Sequence, residues 1–255
     1  MKLISSLCLS VLLSSSLIAT ESLSMSSADK AMYEEMLENN PADLPLAEGE
    51  ELFDKLFGEE LLANILSVKI DALPKAIAGF PMYLSTVDKV ITLSQLTQLL
   101  YATKKLEIPA LKDKNILYIS AYIKSLANDE KTNINIYANK TMTNTHNLGK
   151  KVFYQRRGGR GLSCNSCHSE DIVGQRLRMQ ILPDLGSKES ATASTWPAYR
   201  MTKSEMVSLD TRFQQCMKNA LLAPLPLGSK EMVALEVYIT NLSKGNLIAI
   251  PGLKR

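Results

Sequence analysis

The sequence predicts a mainly α-helical protein built from two domains that are related by internal duplication. The chain has 255 residues, and shifting it by 116 places residues 80–126 on residues 196–242 without a gap, with eleven of 47 aligned residues identical. Several segments repeat apolar residues at helical spacing. No segment shows the sustained alternation of apolar and polar residues that a half-buried strand needs. These three observations favour two similar helical domains.

Residues 1–20 are interpreted as a secretory signal peptide, because Lys2 precedes a short apolar run with small residues near its end. Cys8 lies inside that run and leaves with it. No later segment approaches the about 18 uninterrupted apolar residues of a membrane span. We therefore expect a periplasmic protein without a membrane span after cleavage. Its domains are predicted at 21–135 and 136–255.

The charge of the chain is divided unevenly. Residues 21–60 contain twelve Asp and Glu against two Lys, a balance of −10, whereas residues 61–255 contain 26 Lys and Arg against 14 Asp and Glu, a balance of +12. A basic body could attract anions or an acidic partner protein. Nucleic acid is not expected, because clustered basic and aromatic residues are missing.

Two helices are predicted in the second copy of the repeat. Thr202 and Glu205 have the spacing of a capping box, which predicts a helix start. The apolar stripe after it contains Met206, Leu209, Phe213 and Cys216. Arg212 and Cys216 are four residues apart and would share one helix face. The second helix is predicted from about Lys230.

The motif Cys164-Asn-Ser-Cys167-His168 carries the clearest chemistry. C-x-x-C-H is the attachment signature of a c-type haem, in which two thiols bind the porphyrin and the adjacent imidazole binds iron. The first copy has no cysteine at the corresponding residues 64–68. We therefore expect one haem, and a first domain without haem.

Other functions of these cysteines remain open at this point. A redox Cys-x-x-Cys is expected near a βαβ pattern, which is missing here. A structural zinc site could use Cys164, Cys167, Cys216 and His146, although the long spacings are irregular.

The distal iron ligand is also open. Electron-carrying cytochromes c use methionine, and the downstream candidates are Met179, Met201, Met206 and Met217. Cys216 competes with them as the unpaired thiol that the first copy replaces by Leu100.

Four sequence features occur together in this chain: RGLSCNSCH (160–168), WPAYR (196–200), Arg212-x-x-x-Cys216 and the closing PGLKR (251–255). This combination resembles the SoxA family, the catalytic c-type cytochrome subunits of the Sox thiosulfate-oxidising system. The resemblance covers nearly the whole chain after residue 20 and implies two cytochrome c-like domains. Because only one C-x-x-C-H is present, it points to the single-haem branch.

The resemblance also implies the roles of individual residues. Cys164 and Cys167 would bind one haem c covalently, and His168 would be its proximal axial ligand. Cys216 would be both the distal axial ligand and the catalytic sulfur, which is often a persulfide in this family. Arg212 would bind the substrate anion.

The activity implied by the resemblance is that of an L-cysteine S-thiosulfotransferase. Thiosulfate would be joined oxidatively to a cysteine of a SoxYZ-like carrier, with two electrons passing through haem to a SoxX-like cytochrome in a heterodimer. One alternative is a monohaem electron carrier with a methionine ligand and no catalysis. Another is a haem-bearing scaffold subunit.

Further arginines have possible roles at such a site. Arg200 could serve a haem propionate, since the first copy has Leu84 in its place. Arg156, Arg157 and Arg160 could form a positive entrance, or could be exposed loop charges.

Overall fold

The computed structural model describes residues 26–177, 180–188, 190 and 192–254. The predicted signal peptide, with Cys8, lies outside the described residues. Within these ranges the chain is mainly helical with a few short strands, which confirms the predicted fold class at that level. None of the helices in the described ranges is both long and apolar enough to cross a membrane.

The first half of the chain is a set of helices with one short hairpin. Its elements are α1 Ser27–Glu38, α2 Asp43–Leu56, α3 Glu59–Leu66, α4 Leu73–Ile77, β1 Met82–Leu84, β2 Lys89–Ile91, α5 Leu93–Thr103 and α6 Lys114–Ser125. β1 and β2 pair in antiparallel orientation, with Tyr83 opposite Val90. Thr92 begins α5 with a capping box: its Oγ1 accepts from the N–H of Gln95, and its own N–H donates to Oε1 of Gln95.

The second half has a similar order of elements. They are α7 Lys140–Tyr154, α8 Asn165–His168, β3 Arg176–Leu177, β4 Gln180–Ile181, β5 Ala198–Arg200, β6 Glu205–Val207, α9 Leu209–Asn219, α10 Lys230–Leu242 and β7 Gly252–Lys254. β5 pairs with β6 in antiparallel and with β7 in parallel orientation. The helix predicted from about Lys230 is confirmed as α10.

The predicted helix start at Thr202 is wrong. Thr202 lies in a turn, and Glu205 begins β6, because the backbone from Glu205 to Val207 pairs with β5. The helix α9 begins at Leu209, and Ser208 caps it by accepting from the N–H of Thr211 at 3.4 Å. Ser208 is the residue 116 positions after Thr92.

Each half contains a pair of long helices that meet at a glycine. A Cβ at Gly49 of α2 would lie 2.3 Å from the carbonyl oxygen of Tyr118 in α6. A Cβ at Gly149 of α7 would lie 1.9 Å from the carbonyl oxygen of Ala234 in α10. In both pairs only glycine permits this backbone approach.

The larger core lies in the first half and extends into the second. Leu84, Leu96 and Leu100 are buried in it. Met206 of β6 and Ile250 near the carboxyl terminus pack in the same core. The two halves therefore share apolar contacts.

Candidate functional site

The C-x-x-C-H motif forms one short helical turn. The carbonyl of Cys164 accepts from the N–H groups of Cys167 and His168, both at 3.1 Å. Cys164 is the N-cap of α8, and both thiols are free. Because the cysteines lie one turn apart, their sulfurs can bond to two neighbouring groups of one ligand.

The imidazole of His168 is held by the segment that follows the motif. Its Nδ1 lies 3.0 Å from the carbonyl oxygen of Pro183, which can only accept, so Nδ1 carries the proton. This leaves Nε2 with its lone pair for a metal, the usual arrangement of a ligating histidine. Burial is the main cause that lowers the pKa of His168. Pro183 lies 15 residues after His168, and nothing in the sequence marks it as its partner.

Cys164 is embedded in the core of the second half. It packs against the buried cluster that includes Phe153, Met217 and Leu235. Burial raises the pKa of its thiol to about 11, and the charge of Arg157 acts in the opposite direction. One side of the motif therefore faces a buried apolar cluster.

The helix α9 brings Cys216 and Arg212 to the motif. Burial is the main cause that raises the pKa of Cys164 and Cys167, and Cys216 raises both further. Burial is also the main cause that lowers the pKa of His168, and the charge of Arg212 lowers it further. Such electrostatic effects require the groups to be close in space. Cys216 and Arg212 are both half-buried. Phe213 and Met217 of the same helix pack in the cluster that Cys164 also contacts, so α9 lies beside the C-x-x-C-H turn.

The competing methionines are placed differently. Met217 is buried in the second core, and its Sδ accepts from the N–H of Leu225 at 3.5 Å. Met206 is buried in the core of the first half. Met201 is half-buried at the end of β5, and Met179 lies outside the described residues.

The described residues contain no cluster that matches the zinc alternative. Within residues 26–177, 180–188, 190 and 192–254, no three His, Cys, Asp or Glu side chains are placed to hold a metal ion. His146 lies beside Tyr238, with a ring centroid distance of 5.5 Å, and its Nε2 is 3.4 Å from the amide nitrogen of Asn241.

The arginines around the site fall into two groups. Arg156 and Arg160 are exposed. Arg157 is half-buried, and its Nη2 is buried without a hydrogen-bond partner among the described residues. Arg200 is only 7% exposed.

The donor set fits a c-type haem. It provides two free thiols one turn apart, an imidazole with a fixed tautomer, a third sulfur from α9, and a buried Nη2 of Arg157 that has no hydrogen-bond partner among the described residues. Such a donor accommodates an anionic group of a ligand.

Comparison with known proteins gives consistent relatives. The chain is 31% identical over 235 residues to the L-cysteine S-thiosulfotransferase subunit SoxA of Hydrogenophilus thermoluteolus, covering 87% of this chain and 85% of that protein. It is 29% identical over 219 residues to SoxA of Chlorobaculum thiosulfatiphilum, covering 85% and 72%. The crystal structure of SoxXA from P. pantotrophus shares the fold, with a TM-score of 0.68 at 21% identity over 85% of this chain and 79% of that one. No protein-family model matches the chain.

Proposed function

Since the chain belongs to the SoxA family, we propose that it is the catalytic subunit of an L-cysteine S-thiosulfotransferase that joins thiosulfate to a carrier cysteine. The observation that carries this proposal is that α9, the helix with Arg212 and Cys216, packs through Phe213 and Met217 in the cluster that Cys164 also contacts. A sulfur nucleophile and an anion-binding guanidinium are the two groups that a thiosulfate conjugation needs.

One haem c would be held by four side chains. Cys164 and Cys167 would bind it covalently, and His168 would be the proximal ligand through Nε2. Cys216 would be the distal ligand, which is supported by the burial of Met206 and Met217 in the two cores. When bound, the haem supplies a one-electron acceptor at this site.

Arg212 and Cys216 would handle the substrate. The guanidinium of Arg212 would bind the sulfonate end of thiosulfate through paired charge-assisted hydrogen bonds. Four residues further along α9, the sulfur of Cys216 would act as the catalytic sulfur, carried as a persulfide. Both residues keep their relative positions because the helix between them is rigid.

The overall conjugation forms one S–S bond and breaks one S–H bond. The outer sulfur of thiosulfate joins the carrier thiol to give a cysteine S-thiosulfonate, and one proton and two electrons are released. We propose a SoxYZ-like protein as the carrier and a SoxX-like cytochrome as the partner that receives the electrons. A heterodimer with that cytochrome is in keeping with the SoxXA complex whose fold the chain shares.

We further propose that residues 21–135 and 136–255 descend from one duplicated cytochrome c-like domain, and that the first now has a structural role. A cavity of about 40 Å³ between the halves supports this. Ten of its twelve lining residues form five pairs at a spacing of 116: Phe80 and Trp196, Leu93 and Leu209, Ser94 and Asp210, Ser120 and Glu236, Lys124 and Thr240. The same face of each copy would thus form the interface.

Export to the periplasm is part of the same proposal. The predicted signal peptide at 1–20 accounts for it, since covalent haem attachment in bacteria is completed outside the cytoplasm.

The test of this function is the variant Cys216→Met, with Met217→Leu as the matched control. We expect Cys216→Met to keep one covalent haem by pyridine haemochrome and intact mass. Its reduction potential should rise, because a neutral thioether replaces a charged donor, and thiosulfate-dependent conjugation to the carrier should be lost.

Met217→Leu should leave the absorption spectrum and conjugation unchanged, because Met217 is a core residue. An electron carrier with a methionine ligand would keep its absorption spectrum in Cys216→Met and would lose an iron ligand only when one of the methionines is replaced. Unaltered conjugation in Cys216→Met contradicts the catalytic assignment.

A further inference from the structure

Arg157 lies in the loop that precedes C-x-x-C-H, and the loop holds it in a fixed place. Its backbone N–H donates to the carbonyl of Leu162 at 2.9 Å, which closes the loop into a short hairpin. Gly158 follows with a φ of +71°, in the region that favours glycine. Arg157 is half-buried, whereas Arg156 and Arg160 in the same loop are exposed.

The hairpin lies between the C-x-x-C-H turn and the end of α9. Leu162 and Cys164 pack against the same buried cluster. On the other side, a Cβ at Gly158 would lie 2.4 Å from the carbonyl oxygen of Leu221. Leu221 lies two residues after the end of α9, the helix that carries Cys216. Arg157 therefore projects from a support that touches both the haem-attachment turn and the end of the catalytic helix.

The guanidinium of Arg157 has a donor that the described residues do not use. Its Nη2 is buried and has no hydrogen-bond partner among them. A guanidinium is always charged, and a buried charged donor without an acceptor is costly. An acceptor of opposite charge would satisfy it.

We propose that Arg157 binds an oxyanion at the edge of the haem, either a carboxylate of the haem itself or the sulfonate of thiosulfate. This inference rests on the proposed function. Both groups offer two oxygens to a planar guanidinium, which favours bidentate pairing.

The experiment compares Arg157→Gln with Arg156→Gln, which removes an exposed charge one residue away. Both variants are prepared with haem and with the cytochrome partner. The haem reduction potential is measured without thiosulfate, and the KM for thiosulfate is measured with the carrier.

If the anion is a haem carboxylate, Arg157→Gln removes the positive charge that compensates it. The remaining negative charge then disfavours the reduced, ferrous haem. The reduced-to-oxidised ratio at a fixed potential should fall about tenfold, which is about 59 mV for one electron, with an unchanged KM. If the anion is thiosulfate, the KM should rise about tenfold or more and the potential should stay in place.

Arg157→Lys provides the second variant, because it keeps the charge but loses the bidentate donor pair. It should shift the same quantity in the same direction by a smaller factor, and it tests the proposal even if Arg157→Gln does not fold. Potential and KM values equal to those of Arg156→Gln in both Arg157 variants overturn this inference alone. A chain that never carries covalent haem overturns the proposed function and this inference with it.

Discussion

The approach of α7 to α10 at Gly149 can be tested by adding one methyl group. In Gly149→Ala the new Cβ would lie 1.9 Å from the carbonyl oxygen of Ala234, whereas ordinary contacts begin at 3.4 Å. The two helix backbones must separate by about 1.5 Å, the difference between these distances. Overpacking of this kind costs about 1–3 kcal/mol, and the upper end applies because backbone, not a flexible side chain, must move.

The helix propensity of alanine offsets about 0.5–1 kcal/mol of this cost. We therefore expect a net loss of about 2 kcal/mol, which lowers the Tm by about 4–8 °C in a chain of this size. Thermal unfolding followed by circular dichroism measures it. Gly159→Ala is the control, since nothing lies within 4 Å of its Cβ. A Tm for Gly149→Ala within about 1 °C of that control would refute the close approach of the two helices.

Two further predictions concern the first core and the cavity between the halves. In urea unfolding, Leu100→Ala should lower the free energy of unfolding by about 2–5 kcal/mol, because Leu100 is fully buried. Leu106→Ala, at a residue 40% exposed, should lower it much less. Equal losses would mean that Leu100 is not a core residue. Glu236 faces Lys124 and Asp210 in the cavity, and burial raises its pKa from 4.5 to about 8. The folded state therefore keeps a proton that the unfolded chain releases, so this carboxyl makes stability fall as the pH rises from about 5 to 8. In Glu236→Gln this part of the pH dependence of stability should be missing. Parallel curves of unfolding free energy against pH for wild type and variant, between about pH 5 and 8, would contradict the prediction.

The sequence by itself determined the features that depend on neighbouring residues. The adjacency of two thiols and an imidazole in 164–168 indicated the site, because one helical turn brings these groups to one ligand. The four-residue spacing of Arg212 and Cys216 placed them on one helix face, and both lie on α9 as that spacing requires. Their roles as substrate-binding residue and catalytic sulfur stay predictions.

Only the tertiary structure decided the features that depend on contacts between distant segments. The Thr202 capping box was wrong because pairing of β6 with β5 outweighs a local helix signal. Packing also decides three further features: the contact of His168 with Pro183, the burial of Nη2 of Arg157, and the placement of α9 against C-x-x-C-H. Three arginines in one loop look equivalent in a sequence. The backbone hydrogen bond between Arg157 and Leu162, however, fixes a hairpin that turns Arg157 inward. Local patterns encode spacing along one element, whereas the direction of a side chain toward a site depends on which elements pack together.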